Sequence, residues 1–493
     1  MYNLKKCCLC GFAICLLSCN LREPSRIGET APCYSEKWTA TEPFPQPVCP
    51  PAPSCLPLDA QPWGPGELID IALQNNPQTK QSWQLARAAA FNMRASESTL
   101  YPSINFQDTL NFTKVSSVLT QTTGTNASSI TPGANNVNNT GGSVSNNRNV
   151  SLPGYNQTRV DNLTVSYLML DAGGRIATIE AARQALLIAN WMHNRTIQTV
   201  IVNVLDSYYN YVGAQALLEA KRQDLHDAEV NLDAAQQLFS AGLQTIVGVL
   251  QAESSYVNAE LQLETVKGQV NTALGQLATA LGLPANAVFT VAKLPETLPT
   301  DQISEDMDAL MEIAKTERPD LAAAYHTYLQ AKEQITVVNS AGWPIITANA
   351  NVQNTVFIHN PSFNNQYYNG NLMLSVPIFS GFLYRNQTLQ ARANASAAFD
   401  NWQNTENNIF LQVVTNYYAY KTAVSTLKYS EEYLKYAQEA YDATLATYKN
   451  GTGTFLDVLV AQGVLANARA QRVQAKTQLV TSVANLAYAT GTL

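Results

Sequence analysis

Charge is scarce in this chain: 14% of its 493 residues are Asp, Glu, Lys or Arg, against roughly a quarter in ordinary soluble domains. A basic excess is absent too. The net charge is −7, which excludes a nucleic-acid binder held by Lys/Arg patches. Long apolar runs are missing, because the longest, Cys7 to Leu17, has 11 residues and a membrane-spanning helix needs about 18 or more. Any crossing of a membrane falls to strands. Cysteine stops at Cys55, so the following 438 residues offer no disulfide, thiol nucleophile or Cys-based metal site. The four histidines, His193, His226, His326 and His359, lack the His/Glu or His/Cys spacing of a metal centre. Gly173-Gly174 lacks the rest of a phosphate-binding fingerprint. No enzyme, cofactor or metal site is expected. What replaces the missing charge is Asn, Gln, Thr, Ser and Ala, with 46% apolar residues, enough to bury a core.

All eight cysteines lie in the first 55 residues. Lys5 and Lys6 precede a short apolar region and then small Ser18, the arrangement of an export signal over residues 1–18. Leu16-Leu17-Ser18-Cys19 resembles a bacterial lipobox, which implies acylation (palmitate) at Cys19; the alternative is an ordinary signal peptide. Loss of residues 1–18 removes two lysines and no acid, leaving a net charge of −9. From Pro24 to Pro65 there are 11 prolines in 42 residues, so 19–65 reads as an extended, poorly packed tether. Its Cys33, Cys49 and Cys55 cannot all pair within one chain, so one is free or bridges to a neighbour.

The body is written twice. At an offset of 209, Tyr208-Tyr209-Asn210-Tyr211 returns as Tyr417-Tyr418-Ala419-Tyr420, and Phe239, Gly242, Thr245 and Val249-Leu250 return as Tyr448, Gly451, Thr454 and Val458-Leu459. Nearer the start of each half the offset is 242, pairing Leu68, Ala72, Pro77 and Pro102 with Leu310, Ala314, Pro319 and Pro344. The first half must hold 33 extra residues, visible as the stretch from Asn126 to Asn149 with eight Asn in 24, an exposed loop. The resulting organisation is a first repeat over 66–283, a connection over 284–308 and a second repeat over 309–493.

Ile104, Phe106, Leu110 and Phe112 alternate with polar residues, a period of two. Leu163, Val165 and Tyr167 return, and Ile346 to Val352 with Leu372 to Val376 repeat the pattern. Four strands, polar without charge on one face, suit a transmembrane barrel with a wet lumen. Four strands cannot close alone and lipid tolerates no open edge, so several chains must contribute. From Gly174 to Ala241 no proline occurs in 68 residues, a helical run of about 100 Å. Leu218, Leu225, Leu232 and Phe239, interleaved with Ala214, Lys221, Ala228 and Ala235, form a heptad seam, copied as Leu427, Leu434, Tyr441 and Tyr448 with Ala423, Ser430, Ala437 and Thr444. The returning seams run from Val249 to Ala273 and from Val458 to Ser482. The helical turns fall at Gly242 and Gly451, with Thr245 and Thr454 as helix N-caps.

Two copies of strand, strand, long helix and return helix behind an export signal resemble the TolC-like outer-membrane efflux proteins, and Cys19 with its tether is similar to their lipoprotein, OprM-like branch. The resemblance covers about residues 66–493. It implies an α+β membrane protein, a homotrimer whose 12-stranded transmembrane β-barrel continues as a long α-helical periplasmic barrel. It also implies a passive exit duct at the outer-membrane lipid, served by a periplasmic adaptor protein and an inner-membrane transporter, with no nucleic acid. Adaptor docking is carried to Gly242, Leu243, Gly451 and Thr452. Asp457 and Tyr448 are assigned to the periplasmic aperture, although Thr454 to Asp457 also has capping-box spacing. The family's latch Arg falls on Gly453 and its latch Asp on Gly248, so that latch cannot form in its usual way. Two rivals stand: a type I protein-secretion outlet, and a non-transporting coiled-coil surface lipoprotein.

Overall fold

The computed structural model describes residues 34–37, 62–115, 154–292, 306–358 and 364–493. Cys19, Cys33, Cys49, Cys55, the Asn126 to Asn149 stretch and His359 lie outside the described residues. The order of elements is the same in both halves. In the first, α1 (Pro65–Asn75) and α2 (Pro77–Glu97) lead to β1 (Ser103–Val115), β2 (Gly154–Leu170), α3 (Gly174–Ser240) and α4 (Ile246–Ala280). In the second, α5 (Met307–Glu317) and α6 (Pro319–Ser340) lead to β3 (Ile345–Phe357), β4 (Asn365–Ser375), α7 (Leu383–Lys449) and α8 (Phe455–Thr490). Two compact units result, a strand unit (97–175 and 337–385) and a helical unit formed by the remainder.

In the strand unit the order is β1-β2-β3-β4, each neighbour antiparallel. Directly opposed residues share a face, so the register sorts the side chains. One face carries Ile104, Val165 and Ala350 in one row and Phe106, Leu163, Val352 and Tyr368 in the next. The other carries Asn105, Thr164, Asn351 and Asn369, then Gln107, Asn162 and Gln353. Among the residues with described side chains, that second face holds no charged group. The sheet's charges sit on the apolar face: Arg159 contacts Asp108 at 3.0 Å and Asp161 at 3.0 Å. A bulge between Leu168 and Leu170 ends β2, and Ala172 (φ 50°) and Gly173 (φ 89°) turn the chain into α3. Asp171 accepts the Arg175 backbone N–H there, and Gly381 with Phe382, both at positive φ, makes the same bend before α7.

The helical unit is built on α3 and α7, 67 residues each and so about 100 Å long. The returning helices have 35 and 36 residues, about half that. Helices α2 and α6 flank the first halves of the long ones instead: Ser82 of α2 meets His193 at 2.8 Å, and Tyr328 of α6 packs edge-on to Phe399 at 5.4 Å. Equivalent cores repeat. Leu68, Ala72, Val204, Tyr208, Leu277 and Leu281 are buried together in the first half, and Leu310, Ala314, Val413, Tyr417, Leu479 and Leu486 in the second. Each fully buried leucine contributes roughly 1.5–3 kcal/mol.

Two features depart from the sequence reading. The stretch 34–37 of the tether is packed: Tyr34 lies edge-on to Trp83 at 6.1 Å, and the Glu36 carbonyl lies 3.0 Å from His193 Nε2. Tyr34 and Glu36 supply an aromatic ring and a backbone acceptor that two helices need, so this part of a Pro-rich segment does not float. Second, an ionic weld holds the end of α8. Arg318 is buried, donates to both Asp320 carboxylate oxygens (2.9 and 2.6 Å) and to the Ala489 carbonyl at 3.0 Å, while the Arg195 guanidinium sits 3.8 Å above the Tyr488 ring. Burial pushes the Asp320 carboxyl up, but the Arg318 bonds and the charges of Arg195 and Arg318 outweigh it and hold its pKa below the ordinary value.

Candidate functional site: the helical tips

Both tips close by one device. Gly242 (φ 73°) donates to the Phe239 carbonyl at 2.9 Å and Leu243 to the Leu238 carbonyl at 2.9 Å; Gly451 (φ 73°) donates to Tyr448 at 2.9 Å and Thr452 to Thr447 at 3.1 Å. This is the Schellman pattern, which requires a left-handed residue and therefore favours glycine. A Cβ added at either glycine would meet nothing within 4 Å, so both tips end in open space. Leu243 is 73% exposed, an apolar side chain held outward by a rigid turn.

The second halves of the tips differ. Thr454 and Asp457 form a capping box: the Asp457 N–H donates to Thr454 Oγ1 at 3.3 Å, and the Thr454 N–H and hydroxyl donate to Asp457 Oδ2 at 3.2 and 2.6 Å. The Thr454 side-chain and backbone bonds hold the Asp457 carboxyl below its ordinary pKa, so it is ionised at neutral pH. Thr245 occupies the N-cap of α4 but its side chain accepts no capping bond; instead its carbonyl accepts from Gly248 at 3.1 Å.

Tyr448 is buried against Phe455, with ring centroids 5.6 Å apart. Its hydroxyl donates to Gln244 Oε1 and so ties the second tip to the first. A Cβ at Gly248 would fall 1.7 Å from Gln244 Nε2, so the absence of a side chain at Gly248 is what lets Gln244 lie there. Gly453 is closed as well, its added Cβ meeting Thr447 Oγ1 at 2.9 Å. Where the resemblance places a latch Arg and Asp, this chain has two glycines and a Gln–Tyr tie.

Above the tips α3, α7 and α8 are joined by a buried polar network. Arg469 of α8 donates to Asp224 at 3.0 Å and Asp227 at 2.6 Å on α3, and to Gln438 of α7 at 3.2 Å. Burial pushes the guanidinium pKa down, but the bonds to Asp227 and Asp224 outweigh it and hold it above the ordinary value. One turn nearer the tips, Asn231 donates to Gln462 at 3.0 Å and accepts from the Tyr441 hydroxyl at 3.0 Å. Burial, aided by the Asp227 charge, pushes the Tyr441 phenol up to about 12. The heptad seam does not disclose this network: Ala228 and Ala235 are buried and Leu232 packs beside them, but Phe239 is 43% exposed and the polar residues lie beside the seam. The signal was present as Asp224, Asp227 and Asn231 at i, i+3 and i+7, one face of a helix.

Two of the described histidines are held by hydrogen-bond partners in the helical packing: His193 meets Ser82, and His326 Nδ1 lies 2.8 Å from Gln184 Oε1, where burial lowers its pKa. His226 is exposed beside Glu229 at 3.6 Å. Among the described residues no cluster of His, Cys, Asp and Glu could hold a metal ion, and no helix is long and apolar enough to cross a membrane.

A profile described as outer membrane efflux protein matches residues 68–283 and 310–492, most of the chain and both tips. The chain belongs to the outer membrane efflux protein family. It is 26% identical over 310 residues to the outer membrane protein TolC of Escherichia coli, covering 60% of this chain and 62% of that one. It is 24% identical over 321 residues to the pyoverdine export outer membrane protein OpmQ of Pseudomonas aeruginosa, covering 63% of this chain and 65% of that one. The aligned part thus spans less than two thirds of these relatives. The fold is similar to the outer membrane protein VceC of Vibrio cholerae, with a TM-score of 0.71 at 18% identity over 87% of this chain and 96% of that one. It is also similar to the outer membrane channel CmeC of Campylobacter jejuni, with a TM-score of 0.70 at 18% identity over 87% of this chain and 85% of that one.

Proposed function

We propose that the protein is the outer-membrane exit duct of a tripartite efflux system: a homotrimer that passively conducts what an inner-membrane transporter and a periplasmic adaptor deliver. The observation that carries this reading is the four-stranded sheet with one apolar face, one uncharged polar face and two outer strands, β1 and β4, paired on one side only. Such a sheet is stable in a bilayer only if its edges close, and three copies give twelve strands around a wet lumen. The helical unit supports a second copy in the same way. Leu250, Val257 and Leu261 of α4 are exposed at heptad-like spacing, as are Leu411, Tyr418, Tyr429 and Tyr436 of α7, and stripes of this kind mark contact surfaces. Acylation of Cys19 would anchor the chain to the outer membrane. Adaptor docking falls to Gly242, Leu243, Gly451 and Thr452, and the aperture to Asp457, with Tyr448 bracing the tip behind it.

Because the polar face of the strands has no charge among the described side chains, a ring of three Asp457 carboxylates would be a source of ion preference. Reconstituted protein is expected to form cation-preferring channels in a planar bilayer, and Asp457→Ala to lower that preference in a salt gradient. Channels with unchanged selectivity would leave Asp457 as a helix cap alone; absence of conductance in the parent protein would contradict the duct.

A further inference from the structure

A transmembrane sheet ordinarily keeps its charges on the lumen side. Here the arrangement is reversed, since Asp108, Arg159 and Asp161 occupy the apolar face and the opposite face is neutral. The amide-rich face cannot be the one in lipid, because its rows of amide and hydroxyl side chains would be desolvated there. The ion cluster therefore shares the lipid-facing surface with Phe106 and Leu163. It is built in, not incidental: Arg159 Nε lies 3.0 Å from Asp161 Oδ1 and 3.2 Å from Asp108 Oδ1, and Asn354, opposite Asp161, donates to its other oxygen at 3.3 Å. An arginine on the lipid face is costly at the bilayer midplane and nearly free at the interface, so depth decides where this cluster can lie.

The other end of the sheet supplies the reference level. Tyr101, Trp343 and Phe379 are 71%, 55% and 78% exposed just before β1, just before β3 and just after β4, the positions of an interfacial aromatic girdle. Asp108 lies seven residues beyond Tyr101, and Asn354, in the row of Asp108 and Asp161, eleven beyond Trp343. At about 3.4 Å per residue and a tilt of about 40°, the row stands roughly 18–29 Å above the girdle, bracketing the ~25 Å apolar band of outer-membrane barrels.

Resting on the reading of this protein as an outer-membrane barrel, we infer that the Asp108–Asp161 row, with Arg159 in the next row outward opposite Leu110, marks the outer limit of hydrocarbon contact and lies in the polar headgroup layer of the outer leaflet. Strand residues beyond the Asp108–Asp161 row, Leu110 beside Arg159 and then Phe112, stand outside the acyl chains. The apolar band is the part between the girdle and this row.

The test places one tryptophan on each side of the row, Phe106→Trp and Phe112→Trp, in the full-length protein reconstituted in vesicles of phospholipid brominated on the acyl chain. Above the parent's own signal, Phe106→Trp is expected to be quenched and Phe112→Trp not. A second pair gives the size of the effect: Phe106→Arg should lower the folded-to-unfolded ratio in vesicles about 30-fold or more, and Phe112→Arg by less than about fivefold. Equal quenching at both positions, or equal losses with arginine, would place the row inside the hydrocarbon and overturn the inference. Failure to quench either tryptophan would remove this face from the bilayer and with it the barrel reading itself.

Discussion

Leu243→Asp should abolish export while leaving a folded protein that is extracted in the same oligomeric state as the parent. Leu243 is 73% exposed and follows the left-handed Gly242, so changing it disturbs neither core nor turn. If an adaptor covers the tip, the new carboxylate is buried without a partner at the centre of the contact. Central apolar anchors are typically worth about 2 kcal/mol or more, which is roughly a 30-fold weakening. The glycines are poorer probes: any side chain at Gly242 or Gly451 is strained by the positive φ whether or not a partner docks. Capture of the adaptor by cross-linking at the tip, compared between Leu243→Asp and the parent, checks the mechanism. Retained cross-linking and export would remove the docking role from this tip.

Arg469→Ala should be strongly destabilising to the helical unit. The side chains of Arg469, Asp224 and Asp227 are 13%, 9% and 12% exposed, so solvent screens them weakly. Among the described residues, removing the arginine leaves Asp227 with no ion-pair partner and Asp224 with Lys221, 3.0 Å away. Breaking a buried ion pair from one side costs about 3–5 kcal/mol, because a desolvated charge is left behind. Adding Asp224→Asn and Asp227→Asn to Arg469→Ala should recover much of that loss, since an uncharged network carries no such penalty. Denaturant unfolding of the three proteins measures both values through the midpoint, provided the slope is unchanged. A loss below about 1 kcal/mol in the single variant would mean that water reaches the pair and that the joint between α3 and α8 rests on apolar packing.

The difference between what the sequence disclosed and what it hid follows the range of the interactions. Strand faces were legible, because a period of two is local and Ile104 to Phe112 displays it without help. The tips were legible for the same reason: Gly242 and Gly451 each satisfy a turn that needs a left-handed residue. The return seams were legible through small and large residues in alternation, and Ala252, Ala468 and Leu465 are buried as that pattern requires. The α3 seam was legible in its small positions, since Ala228 and Ala235 are buried, but the polar positions buried beside them were not. Asp224 and Asp227 look like solvent-facing residues until Arg469, more than 240 residues away, is brought beside them. The packed stretch 34–37 was hidden likewise. Composition marks a Pro-rich segment as unpacked, and only the fold supplies Trp83 and His193 as its partners. The Gln244–Tyr448 tie combines both kinds of information, since the sequence shows that Gly248 lacks a side chain and the fold shows what fills the space.

Closure of the sheet by identical copies is tested most directly by the native mass of the detergent-extracted protein. Three chains per particle is the expected result, twelve strands in one barrel with no edge left unpaired. A particle of one chain would leave β1 and β4 with open edges in lipid, and that result would contradict the duct.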